Sequence, residues 1–572
     1  MKLRHYMTVC GALLLASCQT SCQTTSQTEY LDDERSETGK LFGEYLAGSY
    51  ANYIEKSDAR SKYYSRAFSR ADDDISLGRR ALTSALTAGD LELTHNTASD
   101  IHRKDSKEPM ARAILGIKAF EEGRNNQAQK LLTLDTADLT MGILMGLVEG
   151  WSYVDEGDIE AARKTFEEVG GGTYYDNLAH LQIAKAEALL GNNEAAKEAF
   201  KLAEDSGQSQ EETRLAKTRF LHSIGESELA LKELEAFSVD NGVLETGPIP
   251  RYINALKSGQ PFDGLLTPKQ EAAHALTEPA FGFFVANRAP DAGEVFLRLA
   301  LTLDPQHDKA AILLGTLLER TDREDEAMEL YEAILPSSDY IVSSKLSQAN
   351  IWFAKEEDEK ALKVLEAVNK SHPSFVTRES LGRARLIDEN YADALPIYDA
   401  LVKSMSEDEI KANIEPLYFR GICYEREKQW SNAEADFKRV LEIEPENADA
   451  LNYLGYTWVD RGENLTEAFS MINKALELDP NSGAITDSLG WAHYKLGQYD
   501  EAKTRLEDAV VLAPSSATII DHLGDVYWKL GRFREAGYQW ERALEFDPTD
   551  EERLAINMKL KGGLEAAPSA LP

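Results

Sequence analysis

Four side chains near the C-terminus are of the types that acid–base catalysis uses. Asp487 and Asp521 are carboxylic acids, and His493 and His522 lie close to them in the sequence. A histidine that is hydrogen-bonded to a carboxylate can act as a general base. All four, however, fall on regular positions of a pattern that repeats through this region, so we interpret them as groove or surface residues.

Motifs of common catalytic sites are absent from the sequence. It contains no His-Glu-x-x-His, no Gly-x-Ser-x-Gly, no phosphate-binding loop and no Cys-x-x-Cys. Gly170-Gly171-Gly172 is not followed by Lys-Ser or Lys-Thr, and we interpret it as a loop after a helix. We therefore predict a protein that is not an enzyme, with no catalytic residues, no metal site and no cofactor. A hydrolase with an unrecognised site is the alternative.

A different chemistry is indicated at the N-terminus, where a cysteine follows a short apolar run. The run, residues 7–16, comes after a basic start, is too short to span a bilayer and is typical of a secretory signal. It ends in Leu15-Ala16-Ser17-Cys18, which resembles a bacterial lipobox and implies a diacylglycerol on the cysteine thiol. We predict a lipoprotein signal peptide at 1–17, lipidation of Cys18 and a flexible tether at 18–38. An ordinary cleaved signal is the alternative.

The elements that would position the C-terminal residues belong to a unit of 34 or 35 residues. Four consecutive units keep a glycine, an alanine and a proline in step, namely Gly421, Gly455, Gly490 and Gly524, then Ala433, Ala468, Ala502 and Ala536, then Pro445, Pro480, Pro514 and Pro548. The small residue is needed where two helices meet, and the proline ends the second helix. This is the signature of the tetratricopeptide repeat (TPR). Such helix pairs stack into a superhelix with one concave side.

The first helix of each unit lines that concave side. Its inward positions hold Asn452, Tyr456 and Asp460, then Asp487, Trp491, Tyr494 and Lys495, then Asp521, Asp525, Trp528 and Lys529. Large aromatic residues beside alternating charges are what a peptide-binding surface needs. We therefore predict that these residues form a partner-binding groove. The alternative is that Trp491 and Trp528 pack between neighbouring helices.

The composition restricts the partners. The 572 residues include 98 acidic and 62 basic side chains, which gives a formal net charge of -36. Phosphate binding requires a basic stripe, so we exclude nucleic acid. The acidity indicates a solvated surface, and an acidic groove that recruits a basic partner is the alternative. No stretch after the signal is apolar and long enough to span a bilayer, so we predict contact with a membrane only through the lipid anchor.

Weaker repeats extend the pattern towards the N-terminus. Proline and glycine are dense at 239–268, which predicts a boundary there. We predict an all-α TPR solenoid of roughly a dozen helix-turn-helix repeats in two arms. These are a degenerate N-terminal arm at 39–238, a Pro/Gly-rich linker at 239–268 and a C-terminal arm at 269–562 with regular repeats at 414–548. One more helix, about 551–560, would cap the last unit, and 563–572 would be a disordered tail.

Three segments of the regular units resemble one family beyond the general repeat pattern: 451–456, 487–494 and 521–528. With the lipobox and two arms, they are similar to the bacterial TPR lipoproteins typified by LbcA, the lipoprotein adaptor of the CtpA C-terminal processing protease. The likeness covers about 414–548. It implies an adaptor that holds a PDZ-containing processing protease and presents peptidoglycan hydrolases to it. Gln19 after the cysteine resembles lipoproteins sorted to the outer membrane, facing the periplasm.

A second class of function stays open for a chain of this kind. An anchored solenoid that binds proteins could equally serve as an assembly factor for an outer-membrane insertion or secretion machine. Both readings share one expectation, which is a protein whose work is binding other proteins or peptides.

Overall fold

The computed structural model describes residues 32–53, 57–71, 74–133, 138–171, 175–204, 210–240, 245–261, 264–285, 290–546 and 548–566. These residues form 31 α-helices and one short 3-10 helix, and no β-strand occurs among them. The expected all-α class is confirmed. No helix in these ranges is long and apolar enough to cross a membrane. The predicted signal at 1–17 and Cys18 lie outside the described residues.

The chain divides into two compact units, Met1–Glu357 and Asp358–Pro572, here called unit 1 and unit 2. The helices of unit 1 are α1 (Asp32–Tyr53), α2 (Ser57–Arg70), α3 (Ile75–Thr87), α4 (Leu91–Lys104), α5 (Pro109–Glu121), α6 (Asn125–Leu132), α7 (Leu139–Asp155), α8 (Ile159–Gly170), α9 (Asp176–Leu189), α10 (Asn193–Glu204), α11 (Gln210–Ser223), α12 (Ser227–Asp240), α13 (Pro248–Ser258), α14 (Pro268–Val285), α15 (Pro290–Leu303), α16 (Asp308–Glu319), α17 (Glu324–Ala333) and α18 (Ile341–Ala354).

Unit 2 continues with a second series of helices. They are α19 (Asp358–Ser371), α20 (Phe375–Ile387), α21 (Tyr391–Ser404), α22 (Glu407–Ala412), α23 (Glu415–Arg426), α24 (Trp430–Ile443), α25 (Ala448–Arg461), α26 (Leu465–Leu478), α27 (Gly483–Lys495), α28 (Tyr499–Leu512), α29 (Ala517–Lys529), α30 (Phe533–Ala543) and α31 (Asp550–Gly562). The expected capping helix is therefore present as α31. The 3-10 turn Leu564–Ala566 follows it, and 567–572 are not described.

Glycines make the contact between the two helices of a pair. A Cβ on Gly150 would lie 2.3 Å from Phe166 Cε1, and one on Gly524 would lie 2.6 Å from Trp540 Cδ1. Only a residue without a side chain lets the second helix approach so closely. The role predicted for the repeated glycine is therefore confirmed.

The turn inside each pair is specified by a second series of glycines. In unit 1 these residues have positive φ and recur every 34 residues, at Gly89, Gly123, Gly157, Gly191 and Gly225. Left-handed backbone favours glycine because other residues have a Cβ that is crowded there. In unit 2 the first helices begin at capping side chains that accept a backbone N–H, at Asn447, Ser482, Ser516 and Thr549.

Prolines in the Pro/Gly-rich stretch begin helices. Pro248 opens α13, and Pro268 opens α14 at the end of the stretch. Proline is tolerated in the first turn of a helix because its missing N–H would have no partner in that helix anyway. The compact division of the chain falls at Glu357, beyond this stretch.

Unit 1 fills its own inner face. The first helices of its early pairs, α3, α5, α7 and α9, form this face, and the chain returns to it after α13. Helix α14 packs on α7 and α9, while α15 packs on α3 and α5. Ala272, Ala273 and Leu276 of α14 are fully buried. The residues that would line an open groove in unit 1 are therefore covered by the same chain.

Candidate functional site

The predicted groove residues all lie on α25, α27 and α29 of unit 2, and α27 packs against both of the others. We call the side formed by the first helices of unit 2 the groove face. Exposure differs among its residues. Lys529 is exposed; Asp487, Trp491 and Asp525 are buried; the others are half-buried, namely Asn452, Tyr456, Asp460, Tyr494, Lys495, Asp521 and Trp528.

A three-ring stack occupies the centre of the groove face. The indole of Trp491 lies between the rings of Tyr494 and His522, with centroid distances of 4.5 and 4.1 Å and interplanar angles of 12° and 17°. His522 belongs to the following repeat, so the stack joins α27 to α29. Trp491 is 9% exposed. Trp491 therefore packs on Tyr494 of its own helix and on His522 of the next first helix.

His522 is held by a carboxylate of the preceding repeat. Its Nδ1 lies 2.9 and 3.1 Å from the two carboxylate oxygens of Asp487. Burial opposes a charge on His522, but the Asp487 carboxylate outweighs it, and the pKa of His522 lies above its usual value. A protonated imidazole stacked on Trp491 also gains from the electron-rich face of the indole.

Three further ion pairs, made by two lysines, join successive first helices. Lys495 Nζ on α27 lies 2.9 Å from Asp460 on α25. Lys559 on α31 lies 2.6 Å from Asp521 and 2.8 Å from Asp525, both on α29. We predicted that Asp460, Lys495, Asp521 and Asp525 would line a partner-binding groove. All four are instead paired within the chain, across repeats. Lys559 was missed, although its spacing of 34 residues from Asp525 repeats the period.

Asp525 has the most constrained position among the acidic groove residues. It accepts a hydrogen bond from Trp540 Nε1 at 2.9 Å. Burial and the nearby Asp521 charge raise the pKa of Asp525 to about 6, and Lys559 partly offsets them. This carboxyl therefore ties the second helix α30 and the capping helix α31 to α29.

Trp528 is enclosed by the C-terminal end of unit 2. Its ring centroid lies 4.5 Å from that of Phe533 and 5.4 Å from that of Trp540. A Cβ on Gly563 would lie 2.1 Å from Trp528 Cζ2. The ring therefore packs against α30 and the segment after α31. Tyr456 and Tyr494 on α25 and α27 are half-buried as well.

Three polar atoms on the groove face are buried and have no hydrogen-bond partner among the described residues. They are Asn452 Oδ1, Trp491 Nε1 and Asp521 Oδ1, on α25, α27 and α29. An unsatisfied buried polar group costs about 1–3 kcal/mol, so such groups call for a physical reason. One donor and two acceptors lie on the first helices of three successive repeats.

A cluster of buried charges in unit 1 is the other group of titratable residues. Glu212 on α11 lies 2.7 Å from Lys185 Nζ, 3.3 Å from Arg219 and 3.3 Å from His274, and Glu271 lies 3.0 Å from Lys185. Burial opposes ionisation, but Lys185 and His274 keep the pKa of Glu212 well below its usual value. Because His274 and Glu271 belong to α14, this cluster attaches α14 to α9 and α11.

The same cluster extends to a second histidine. His307 stacks on His274 at 4.0 Å, and its Nε2 lies 2.9 Å from Thr277 Oγ1. Burial and the neighbouring His274 hold the pKa of His307 well below its usual value. Within the part of the chain that the structure describes, no group of three His, Cys, Asp or Glu residues is arranged to hold a metal ion.

Comparison with known proteins agrees with the helix pairs. The tetratricopeptide repeat family model matches residues 419–483 and 488–551. The TPR repeat-containing protein PA4667 of Pseudomonas aeruginosa is 29% identical over 199 residues, which are 35% of this chain and 33% of that protein. The match thus spans a third of that relative's length.

Further similarities are shorter or concern structure alone. A probable UDP-N-acetylglucosamine–peptide N-acetylglucosaminyltransferase, SPINDLY of Solanum lycopersicum, is 31% identical over 106 residues, 18% of this chain and 10% of that protein. The solved APC/C hetero-tetramer Cut9-Hcn1 covers 94% of this chain and 99% of its own, with 14% identity and a TM-score of 0.37. The matched segments and the helix pairs show that the all-α chain contains tetratricopeptide repeats at 419–483 and 488–551, and repeats of this kind generally bind other proteins.

Proposed function

We propose that this chain is an adaptor that binds a polypeptide segment of its partner on the groove face of unit 2. The aromatic and charged side chains that remain accessible on this face carry the proposal. The unsatisfied atoms of Asn452, Trp491 and Asp521 are closed to solvent in the free chain, so a docked peptide would not meet them directly.

Three neighbouring side chains would add to such a site. Tyr494 and Tyr456 are half-buried and offer ring surface, and Lys529 is exposed at the edge. Aromatic anchors with a polar surround contribute much of the free energy at protein interfaces. The corresponding face of unit 1 is covered by α14 and α15, so we assign the partner to unit 2.

The identity of the partners and the cellular location are inferred from the resemblance to the bacterial TPR lipoproteins. We propose a lipoprotein acylated at Cys18 and anchored in the outer membrane, facing the periplasm. Its partners would be a PDZ-containing C-terminal processing protease and the peptidoglycan hydrolases that the protease cleaves. Anchoring and simultaneous binding would raise the effective concentration of substrate at the protease.

A pair of matched double variants tests the groove. Tyr494→Ala/Lys529→Glu alters the groove face, and Tyr538→Ala/Arg534→Glu makes the same kinds of change at exposed residues of the second helix α30. Because Tyr494 stacks on Trp491, thermal unfolding of both variants is measured as well, to separate lost binding from lost stacking of repeats. The full chain would be used to capture proteins from envelope extracts, followed by identification by mass spectrometry. We expect wild type and the α30 variant to recover a PDZ-containing serine protease, and the groove variant to recover at least about tenfold less.

Two results would contradict this proposal. Equal recovery by both double variants would show that the groove face is not used. Recovery of outer-membrane insertion or secretion components in place of a protease would favour the assembly-factor alternative. Lipidation has its own test, because Cys18→Ala should abolish acylation detected by mass spectrometry and release the chain from membranes; an acyl-free wild-type chain would exclude the anchor.

A further inference from the structure

Helix α1 carries an apolar stripe that no described residue covers. Phe42, Leu46, Tyr50 and Tyr53 are 61%, 64%, 63% and 77% exposed. Their spacing of four, four and three residues puts them on one side of the helix. Contiguous exposed apolar surface of this kind on a soluble domain marks an interaction site.

Comparison with the regular units shows what this side of α1 normally does. Leu46 and Tyr50 lie two residues before and after Gly48, whose Cβ would touch Tyr64 of α2 as the repeat glycines touch their second helices. The same offsets from Gly490 and Gly524 give Ser488, Ala492, His522 and Val526, which are all buried. In a solenoid these positions face the preceding helix pair. The part of the stripe that holds Leu46 and Tyr50 is therefore a stacking face, and Phe42 and Tyr53 flank it.

We propose that this stacking face is covered by the same face of a second copy of the chain, with the two α1 helices antiparallel about a twofold axis at Leu46. In this register Tyr53 of one copy lies opposite Gly39 of the other, and Tyr50 lies opposite Phe42. The stripe thus maps onto itself, which an isologous dimer requires.

The glycines of α1 support close approach of a second helix. Cβ atoms on Gly39 and Gly43 would meet no atom of the described residues within 4 Å, so neither glycine is needed for packing among them. A glycine in a helix interior costs about 1 kcal/mol relative to alanine. Two of them beside an apolar stripe leave room for the tyrosines of another copy, as small residues do at close helix crossings.

Charge and area are both compatible with a dimer. In the proposed register Lys40 faces Asn52 of the other copy and Glu44 faces Gly48, so neither of these two charges beside the stripe meets a like charge. Glu44 is already paired with Arg70 at 2.9 Å. The four exposed side chains offer on the order of 500 Å² per copy, and two copies would bury roughly 1,000 Å², the lower end for a specific interface.

Sedimentation velocity of the full chain in mild detergent tests the dimer. We expect a concentration-dependent dimer for wild type, and for Leu46→Asp an association weaker by at least about tenfold. Leu139→Asp is the matched control, because Leu139 is also 64% exposed in unit 1 but lies on α7. It should associate as wild type does.

Gly43→Leu separates loss of the interface from loss of the fold. Within a single copy the added leucine side chain enters open space, and leucine favours helix more than glycine does, so thermal stability should not fall. The dimer should weaken, because the side chain takes up room that the other copy would occupy. A wild-type chain that stays monomeric at the highest concentration reached would overturn the proposal. The proposal would also be overturned if the chain were monomeric and bound phosphatidylethanolamine/phosphatidylglycerol vesicles as wild type but not as Leu46→Asp. The stripe would then face a membrane.

Discussion

Asp487 on α27 accepts a hydrogen bond from Nδ1 of His522 on α29 at 2.9 Å, across two successive repeats. Similar links join Asp460 to Lys495 and Asp525 to Lys559. The polar residues of the groove face thus have a structural role before any partner binds. Removing one of them affects the stacking of repeats as well as the binding surface, and mutational tests of binding need variants at the more exposed positions.

The Asp487–His522 pair predicts a pH dependence of stability. The pKa of His522 in the folded chain lies above the usual histidine value of about 6.5. The stabilisation from its protonation is therefore fully present below about pH 6.5 and is lost as pH rises through the folded pKa. Thermal unfolding followed by circular dichroism should show a larger decrease between pH 6 and 9 for wild type than for His522→Gln. Parallel curves would refute the pair's contribution.

Adding a single methyl group to the repeat glycine of the last helix pair should lower the stability of the fold. Gly524→Ala places Cβ 2.6 Å from the Trp540 ring, and overpacking of this kind costs about 1–3 kcal/mol. Gly537→Ala on α30 is the control, because its Cβ meets nothing within 4 Å and alanine favours helix by about 1 kcal/mol. Urea unfolding should therefore give opposite signs for the two variants.

The buried charge cluster of unit 1 predicts a large effect of neutralising one carboxylate. Glu212→Gln leaves Lys185 and Arg219 buried with one anion fewer, and breaking a buried pair costs about 3–5 kcal/mol. Glu198→Gln, at an exposed residue of α10, should change the free energy of unfolding by less than about 0.5 kcal/mol. Similar urea midpoints for the two variants would show that the cluster contributes little.

Helix α14 packs on helices that are distant from it in the sequence, so destabilising α14 should also expose those helices. Leu276 is fully buried in the core of unit 1, so Leu276→Ala should destabilise by about 2–5 kcal/mol. Because α14 packs on α7, hydrogen exchange should accelerate in both helices. Phe281→Ala changes a residue of α14 that is 50% exposed, and it should leave the exchange of α7 unchanged. Acceleration confined to α14 would contradict this packing.

Much of the fold followed from local pattern. The spacing of Gly455, Gly490 and Gly524 predicted the helix pairs of unit 2, because a small residue must lie where the two helices of a pair cross. The positive-φ glycines of unit 1, such as Gly157 and Gly191, are an equally regular signal that the prediction did not use. The inward positions on α25, α27 and α29 also followed from the period, but their burial did not.

The amino-acid sequence alone determined the repeat, the all-α class and the side of each helix that faces inward, since these depend on residues within one period. Only the tertiary structure decided that Trp491 is enclosed between two rings and that α14 and α15 cover the inner face of unit 1. Arg323 Nη2, for example, donates to the Thr87 carbonyl oxygen at 2.7 Å across 236 residues. No local pattern encodes such a contact, because it depends on how many stacked pairs bring the chain back to its own beginning.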